Sequence, residues 1–537
     1  MKKQLLLLIA GLPALTTWCL AQADLSVLQQ KQPSAVVEAL AQTIQAGDLQ
    51  RHLETLAGDA FEGRETGTEG QKKAAAYIAS VFESYGLPRV GDNNSYFQKI
   101  TFIAENWDRI NMSVNNEKSR HLWDFYSLPA LNGDLDTYNT DEVVFLGYGI
   151  EDQHYSDYEG INVKDKVILI YGGEPFGADS LSMATGQRGA SKWSADVRHK
   201  LKLAKAKGVK ALLIIDTDFK NNLAQARKSI IMSTSMQIGQ SENAGENYAN
   251  NLFITSDLAR QIVGDKFKDV VKARKRIQKK GKLKSITLPC KLEITQRKRV
   301  RTLEGENVLG FIQGTDPVLK DEIVVISAHY DHLGKRGDDI YNGADDNGSG
   351  SSTVLEIAEA FATAQKQGIG PRRSVLVLLV SGEEKGLLGS QYYAENPVFP
   401  LKNTVVNLNV DMVGRTDEKH KDNPNYVYVI GADRLSTELH KINEAANQQY
   451  TQLELDYTYN AEDDPNRYYY RSDHYNFAER GIPAAFFFSG VHEDYHRPTD
   501  DVDKIMFDKM TTIARLVFYT GWELANRDKR IEVDVKP

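Results

Sequence analysis

The residues able to do chemistry cluster where apolar runs in the second half of the chain break into loops. The run 323–328 ends in His329-Tyr330-Asp331, and the loop after it carries Asp345 and Asp346. The run 374–380 ends in Ser381-Gly382-Glu383-Glu384, and the run 404–410 leads into Asp411. The run 484–488 is followed by Tyr495-His496-Arg497-Pro498-Thr499-Asp500. Residues two apart on a strand point the same way, so His329 and Asp331 can face one site. Taken singly, each such group is an ordinary solvated side chain. Gathered at the ends of one sheet, so many carboxylates repel one another unless cations neutralise them. Two divalent ions sharing one carboxylate would relieve that repulsion. Mixed imidazole and carboxylate ligation suits zinc, with cobalt or manganese as alternatives.

These groups need a scaffold that brings strand ends together. The four runs are almost continuously apolar, the pattern of strands buried on both faces. A helix is expected over 352–365, with Val354, Ile357, Ala358 and Phe361 on one side. The alternation predicts an α/β fold: a mostly parallel sheet flanked by helices, with the site at the strand-to-helix junctions. Upstream, 70–85 reads as a helix with Ala74, Ile78, Val81, Phe82 and Tyr85 along one face, stopped by Gly86 and Pro88. Between 135 and 290 the texture shifts to short apolar runs at 143–146, 167–171 and 211–215, with one helix at 200–207. That region reads as a β-rich module without chemistry of its own. Its basic run 272–284 contains Ile277 and follows Val270 and Val271, which makes it a solvated helix face rather than a nucleic-acid site.

A chain of 537 residues implies two or three domains, and 41% hydrophobic with 26% charged residues is an ordinary globular composition. The net charge of -8 supplies no basic field, so nucleic acid is not an expected partner. Residues 1–23 read as a signal peptide: Lys2-Lys3, an apolar stretch over 5–15, then Ala21-Gln22-Ala23. No stretch reaches the roughly 20 apolar residues of a spanning helix. The expected product is exported, periplasmic or secreted, with no stable membrane insertion after cleavage. It then holds Cys290 as its single thiol, which excludes an internal disulfide and reads as a packed apolar residue. No motif sets an oligomeric state.

In order along the chain, His329-Tyr330-Asp331, Gly343-Ala344-Asp345-Asp346-Asn347, Glu383-Glu384, Asp411-Met412-Val413-Gly414 and Tyr495-His496-Arg497-Pro498-Thr499-Asp500 resemble the co-catalytic di-zinc peptidase family of bacterial leucyl aminopeptidases and glutamate carboxypeptidase. The stretch from Phe61 to Thr68 resembles that family's N-terminal segment, and 135–290 resembles the protease-associated domain many members carry as an insertion. The resemblance implies a peptidase domain in two segments, 24–134 and 291–537, around that insertion. It implies that His329 and Asp411 hold one zinc, Glu384 and His496 the other, and Asp345 bridges them. Glu383 would be the general base, Asp331 would orient His329, and a cis peptide is expected at Asp346. In Tyr468-Tyr469-Tyr470-Arg471-Ser472-Asp473-His474 the offset selects Tyr469 as oxyanion donor among three consecutive tyrosines. The implied activity is an aminopeptidase acting on peptides. The alternatives are a glutamate-carboxypeptidase-like dipeptidase, for which Arg467 and Arg471 could read acidic groups, and a glutaminyl-cyclase-like acyltransferase working with one zinc.

Overall fold

The apolar runs pair into one large sheet in the computed structural model, which describes residues 34–535 apart from 178, 232–235 and 240–243. The expected signal peptide at 1–23 lies outside the described residues. From one edge, the sheet order is Glu454–Asp456, Tyr426–Ile430, Ala484–Phe488, Thr404–Val410, Ile323–His329, Ser374–Val380 and then the end of the long strand Ile286–Ile312. The four central strands run parallel, and every residue in them is buried. Helices Gly350–Lys366 and Phe507–Asn526 pack together over the sheet, with Phe361 stacked on Trp522 at 5.6 Å. Fully burying side chains of this size contributes about 2–3 kcal/mol each.

A long two-stranded ribbon was not evident in the sequence beyond the strand-like run 286–292. Phe97–Val114 and Ile286–Ile312 pair antiparallel from Phe97↔Val308 to Val114↔Leu292. Their middle is dense in charge, which hides the strand period. The charges are paired across the ribbon instead: Lys298 meets Glu105 at 3.0 Å, nearly buried, and Arg299 meets Asp108 at 2.6 Å. Through this ribbon the sheet continues into Leu135–Phe145, Val167–Tyr171, Ala211–Ile215 and Asn250–Ile254.

That second region has its own apolar cores, and they draw Met112, Val114 and Phe125 from before 135 and Ile294 from after 290. It is also more helical than the sequence suggests, with Arg198–Ala206, Ser256–Val263 and Phe267–Lys280 among its strands. The basic run lies mostly on the last of these helices, which buries Val270, Ala273 and Ile277. Cys290 is buried there, its thiol pushed up to about 11 by desolvation. Among the described residues, no helix is long and apolar enough to cross a membrane.

Register places the site. His329 lies beside Val380 and Ser327 beside Asn409, so the strand ends carrying His329, Glu383-Glu384 and Asp411 emerge side by side.

Candidate metal centre

His329 Nε2 lies 3.3 Å from Asp411 Oδ1 and 3.5 Å from Asp346 Oδ1. His496 Nε2 lies 3.1 Å from Asp346 Oδ2 and 3.4 Å from Glu384 Oε1. The carboxylate of Asp346 therefore stands between the two imidazoles, one oxygen toward each. Ligands sharing a tetrahedral zinc ion at 2.0–2.1 Å are about 3.3–3.4 Å apart, and these contacts match that edge. Asp411 Oδ1 and Glu384 Oε1 are buried and face imidazole nitrogens, His329 at 3.3 Å from the first, His332 and His496 at 2.9 and 3.4 Å from the second. The donor set fits divalent metal.

Of the two loop carboxylates it is Asp346, not the expected Asp345, that faces both imidazoles. Asp345 turns the other way, accepting the Gly414 N–H at 2.6 Å and lying 3.2 Å from His492 Nε2. The loop backbone fixes this choice. The Asp500 carboxylate accepts the N–H groups of Asp345 and Asp346 at 3.1 Å, while Asn347 bonds Val410, Met412 and Gly350. Successive side chains thus leave the loop on opposite sides. The cis peptide is Asp346–Asn347.

Glu383 lies with the cluster, its Oε2 3.9 Å from His329 Nε2. Asp331 acts differently from expectation. Its carboxylate is 3.8 Å from His329 Nδ1, whose nearer partner is the Asp331 carbonyl at 3.1 Å. The carboxylate instead accepts the Glu383 N–H at 3.2 Å and the Thr66 hydroxyl at 2.7 Å, and so positions the Glu383 loop.

Tyr469 does not reach the pocket beside the cluster. It packs against Gly431, under the Arg434 guanidinium and beside Ala478, with the Tyr470 ring edge-on at 5.2 Å. Tyr468 and Tyr495 line the metal pocket, with Met412, Phe486, Phe488 and Arg471.

Over residues 307–521 the sequence matches the model of Peptidase family M28. Those residues form an M28 peptidase domain. Aminopeptidase YwaD of Bacillus subtilis strain 168 is 28% identical over 233 residues, covering 42% of this chain and 46% of that protein. The probable leucine aminopeptidase of Trichophyton verrucosum is 33% identical over 223 residues, covering 40% and 57%. The chain thus spans about half the length of the curated relatives it matches. A solved aminopeptidase from Aneurinibacillus sp. strain AM-1 shares the fold, with a TM-score of 0.56 at 20% identity, covering 93% of this chain and 98% of that one.

Buried charge dominates the M28 site. Burial alone would lower the His329 pKa, but the carboxylates of Asp411 and Glu383 hold it well above the usual imidazole value. His496 is likewise raised to about 9, burial being outweighed by Glu384 and Asp346. Desolvation, with Glu384 and Asp411 nearby, pushes Glu383 well above the carboxylate range despite His329. Burial would also raise Glu384, yet His496 and His332 hold it well below.

Three parts of the M28 site went unread in the sequence. His332 is fully buried, with Nδ1 2.9 Å from Glu384 Oε1 and 3.7 Å from Asp346 Oδ2. The second imidazole so soon after His329 was a signal for it. Ser472, in the Ser-Asp-His motif, donates to Asp411 Oδ2 at 2.8 Å and is itself held by Asn409 at 2.8 Å. Arg64, in the N-terminal stretch, is buried and donates to the carbonyls of Leu56, Tyr330, Asn342 and Gly343 at 2.5–3.0 Å. It ties the backbone beside His329 and before Asp346 to the N-terminal stretch. A third cluster, His420, Glu454 and Asp456, lies elsewhere, and there Lys419 already neutralises Asp456.

Proposed function

We propose that the chain is an exported aminopeptidase using two zinc ions, one held by His329 and Asp411, the other by His496 and Glu384, with Asp346 shared. The observation that supports this most strongly is the Asp346 carboxylate standing between the two imidazoles. Bound divalent zinc supplies Lewis acidity, making water acidic near neutral pH and polarising a scissile carbonyl.

The chain's own residues supply the rest. Glu383 sits beside His329 outside the Asp346 bridge, and its raised pKa suits a group that takes a proton from the attacking water and returns it to the leaving amine. Its loop is held for that task by Asp331. The Tyr495 ring stacks on His496 at 3.8 Å and lines the same pocket as Glu383. Desolvation, reinforced by Asp346 and Glu384, keeps its hydroxyl protonated, so it can donate to a developing oxyanion. Tyr495 therefore takes the role expected of Tyr469. Met412, Phe486 and Phe488 form an apolar wall for the side chain of the N-terminal residue. The names of the two relatives above favour release of N-terminal residues over the carboxypeptidase alternative.

The test is zinc-dependent hydrolysis of leucyl 4-nitroanilide against an N-acyl-glutamyl substrate, after chelation and again after zinc is restored. Cleavage of the acylated substrate alone would overturn the aminopeptidase assignment. Export is read by N-terminal sequencing of protein recovered outside the cytoplasm, with a mature start near Asp24 expected.

A further inference from the structure

Arg471 is the one arginine or lysine among the residues lining the catalytic pocket. By contrast, Arg415 pairs with Glu493 and Asp494, and Arg480 with Glu395 and Glu479. Among the described residues, no carboxylate lies within ion-pair reach of Arg471. Its guanidinium rests on the face of Tyr468, 4.9 Å from the ring centre, and one nitrogen lies 3.5 Å from the Tyr495 hydroxyl. Stacking fixes the plane of a guanidinium while leaving its edge of N–H donors free, the geometry that takes a carboxylate on two bonds.

We infer that Arg471 anchors a substrate carboxylate at the pocket, so that the enzyme favours short peptides with an anionic group close to the scissile bond. This deepens the aminopeptidase reading and rests on it. The carboxylate has two sources, the side chain of an acidic N-terminal residue or the C-terminus of a dipeptide, and both present the same two oxygens to the guanidinium.

The experiment compares kcat/KM of the zinc-loaded full chain with Arg471→Met and Arg471→Lys on two substrate pairs. Leucyl-leucine against leucyl-leucine amide reads a C-terminal carboxylate; glutamyl against leucyl 4-nitroanilide reads an acidic side chain. At least one acid-to-neutral ratio should fall by about tenfold or more in Arg471→Met, the scale of a lost charge-assisted hydrogen bond, and recover partly in Arg471→Lys. The pair that responds identifies the source. Both ratios unchanged in Arg471→Met would overturn the inference even if overall turnover dropped, because Arg471 would then act only through Tyr495. If the wild-type chain cleaves none of these substrates, it is the aminopeptidase reading that fails. Calorimetric binding of leucyl-leucine against its amide, and of glutamyl amide against leucyl amide, still reads the same ratios without turnover.

Discussion

At the residue scale, neighbouring carboxylates in one loop do unequal work. Asp346 faces both histidines, whereas Asp345 accepts the Gly414 N–H and faces His492. Asp346→Asn should abolish tight binding of at least one zinc ion and cut turnover about a hundredfold or more, since a ligand charge is lost. Asp345→Asn should keep its metal content and lose about 1–3 kcal/mol of folding stability, the cost of weakening a buried bond. Elemental analysis after exhaustive dialysis, with thermal melts, separates the two. Glu383→Gln should retain metal and slow turnover by about 10²–10⁴-fold, the usual worth of a general base. Further out, Ser472→Ala should weaken metal affinity by about 10–100-fold, because Ser472 fixes the second oxygen of Asp411. Competition with a chromogenic chelator reads that loss.

At the element scale, the apolar strands 167–171, 211–215, 374–380, 404–410 and 484–488 were legible to the residue, because burial on both faces leaves an unbroken apolar run. The long Ile286–Ile312 strand was legible only over 286–292, since the charged residues near Arg299 satisfy one another across the ribbon and erase the alternation. Most residues of the candidate cluster were named from the sequence, though not His332, but which of Asp345 and Asp346 faces the histidines depends on how Asp500 and Asn347 hold the loop. Asp500 lies some 150 residues away and the Val410 and Met412 partners of Asn347 more than 60, beyond any local pattern. The loop tolerates little change. Gly343 adopts φ +57°, and a Cβ there would lie 2.2 Å from the Asp346 carbonyl oxygen and 2.4 Å from His332. Gly343→Ala should therefore lower the melting temperature and the metal content together. On the helix Phe507–Asn526, Lys509 is buried with the carbonyls of Pro424 and Tyr426 as its partners, and desolvation lowers its pKa from 10.5 to about 7. Between those values the unfolded chain binds more protons than the folded one. Stability from this group thus rises with pH from about 7 to about 10.5, by at most about 1.4 kcal/mol per unit, and the burden is full below pH 7. Lys509→Met should flatten that slope in denaturant titrations.

At the scale of the whole molecule, the site is assembled from distant parts of the chain. Arg64 and Thr66 come from the first segment, and each reaches a loop more than 260 residues later. The M28 domain match begins at residue 307, so these groups lie outside it. Zinc that binds the folded cluster and not the unfolded chain should raise the melting temperature in a concentration-dependent way. The most direct test of the account is anomalous diffraction at the zinc edge from crystals of the zinc-loaded protein. It should show two peaks, one against His329 and Asp411 and one against His496 and Glu384, with the Asp346 carboxylate touching both. A single peak, or an ion held by Asp345, would contradict it.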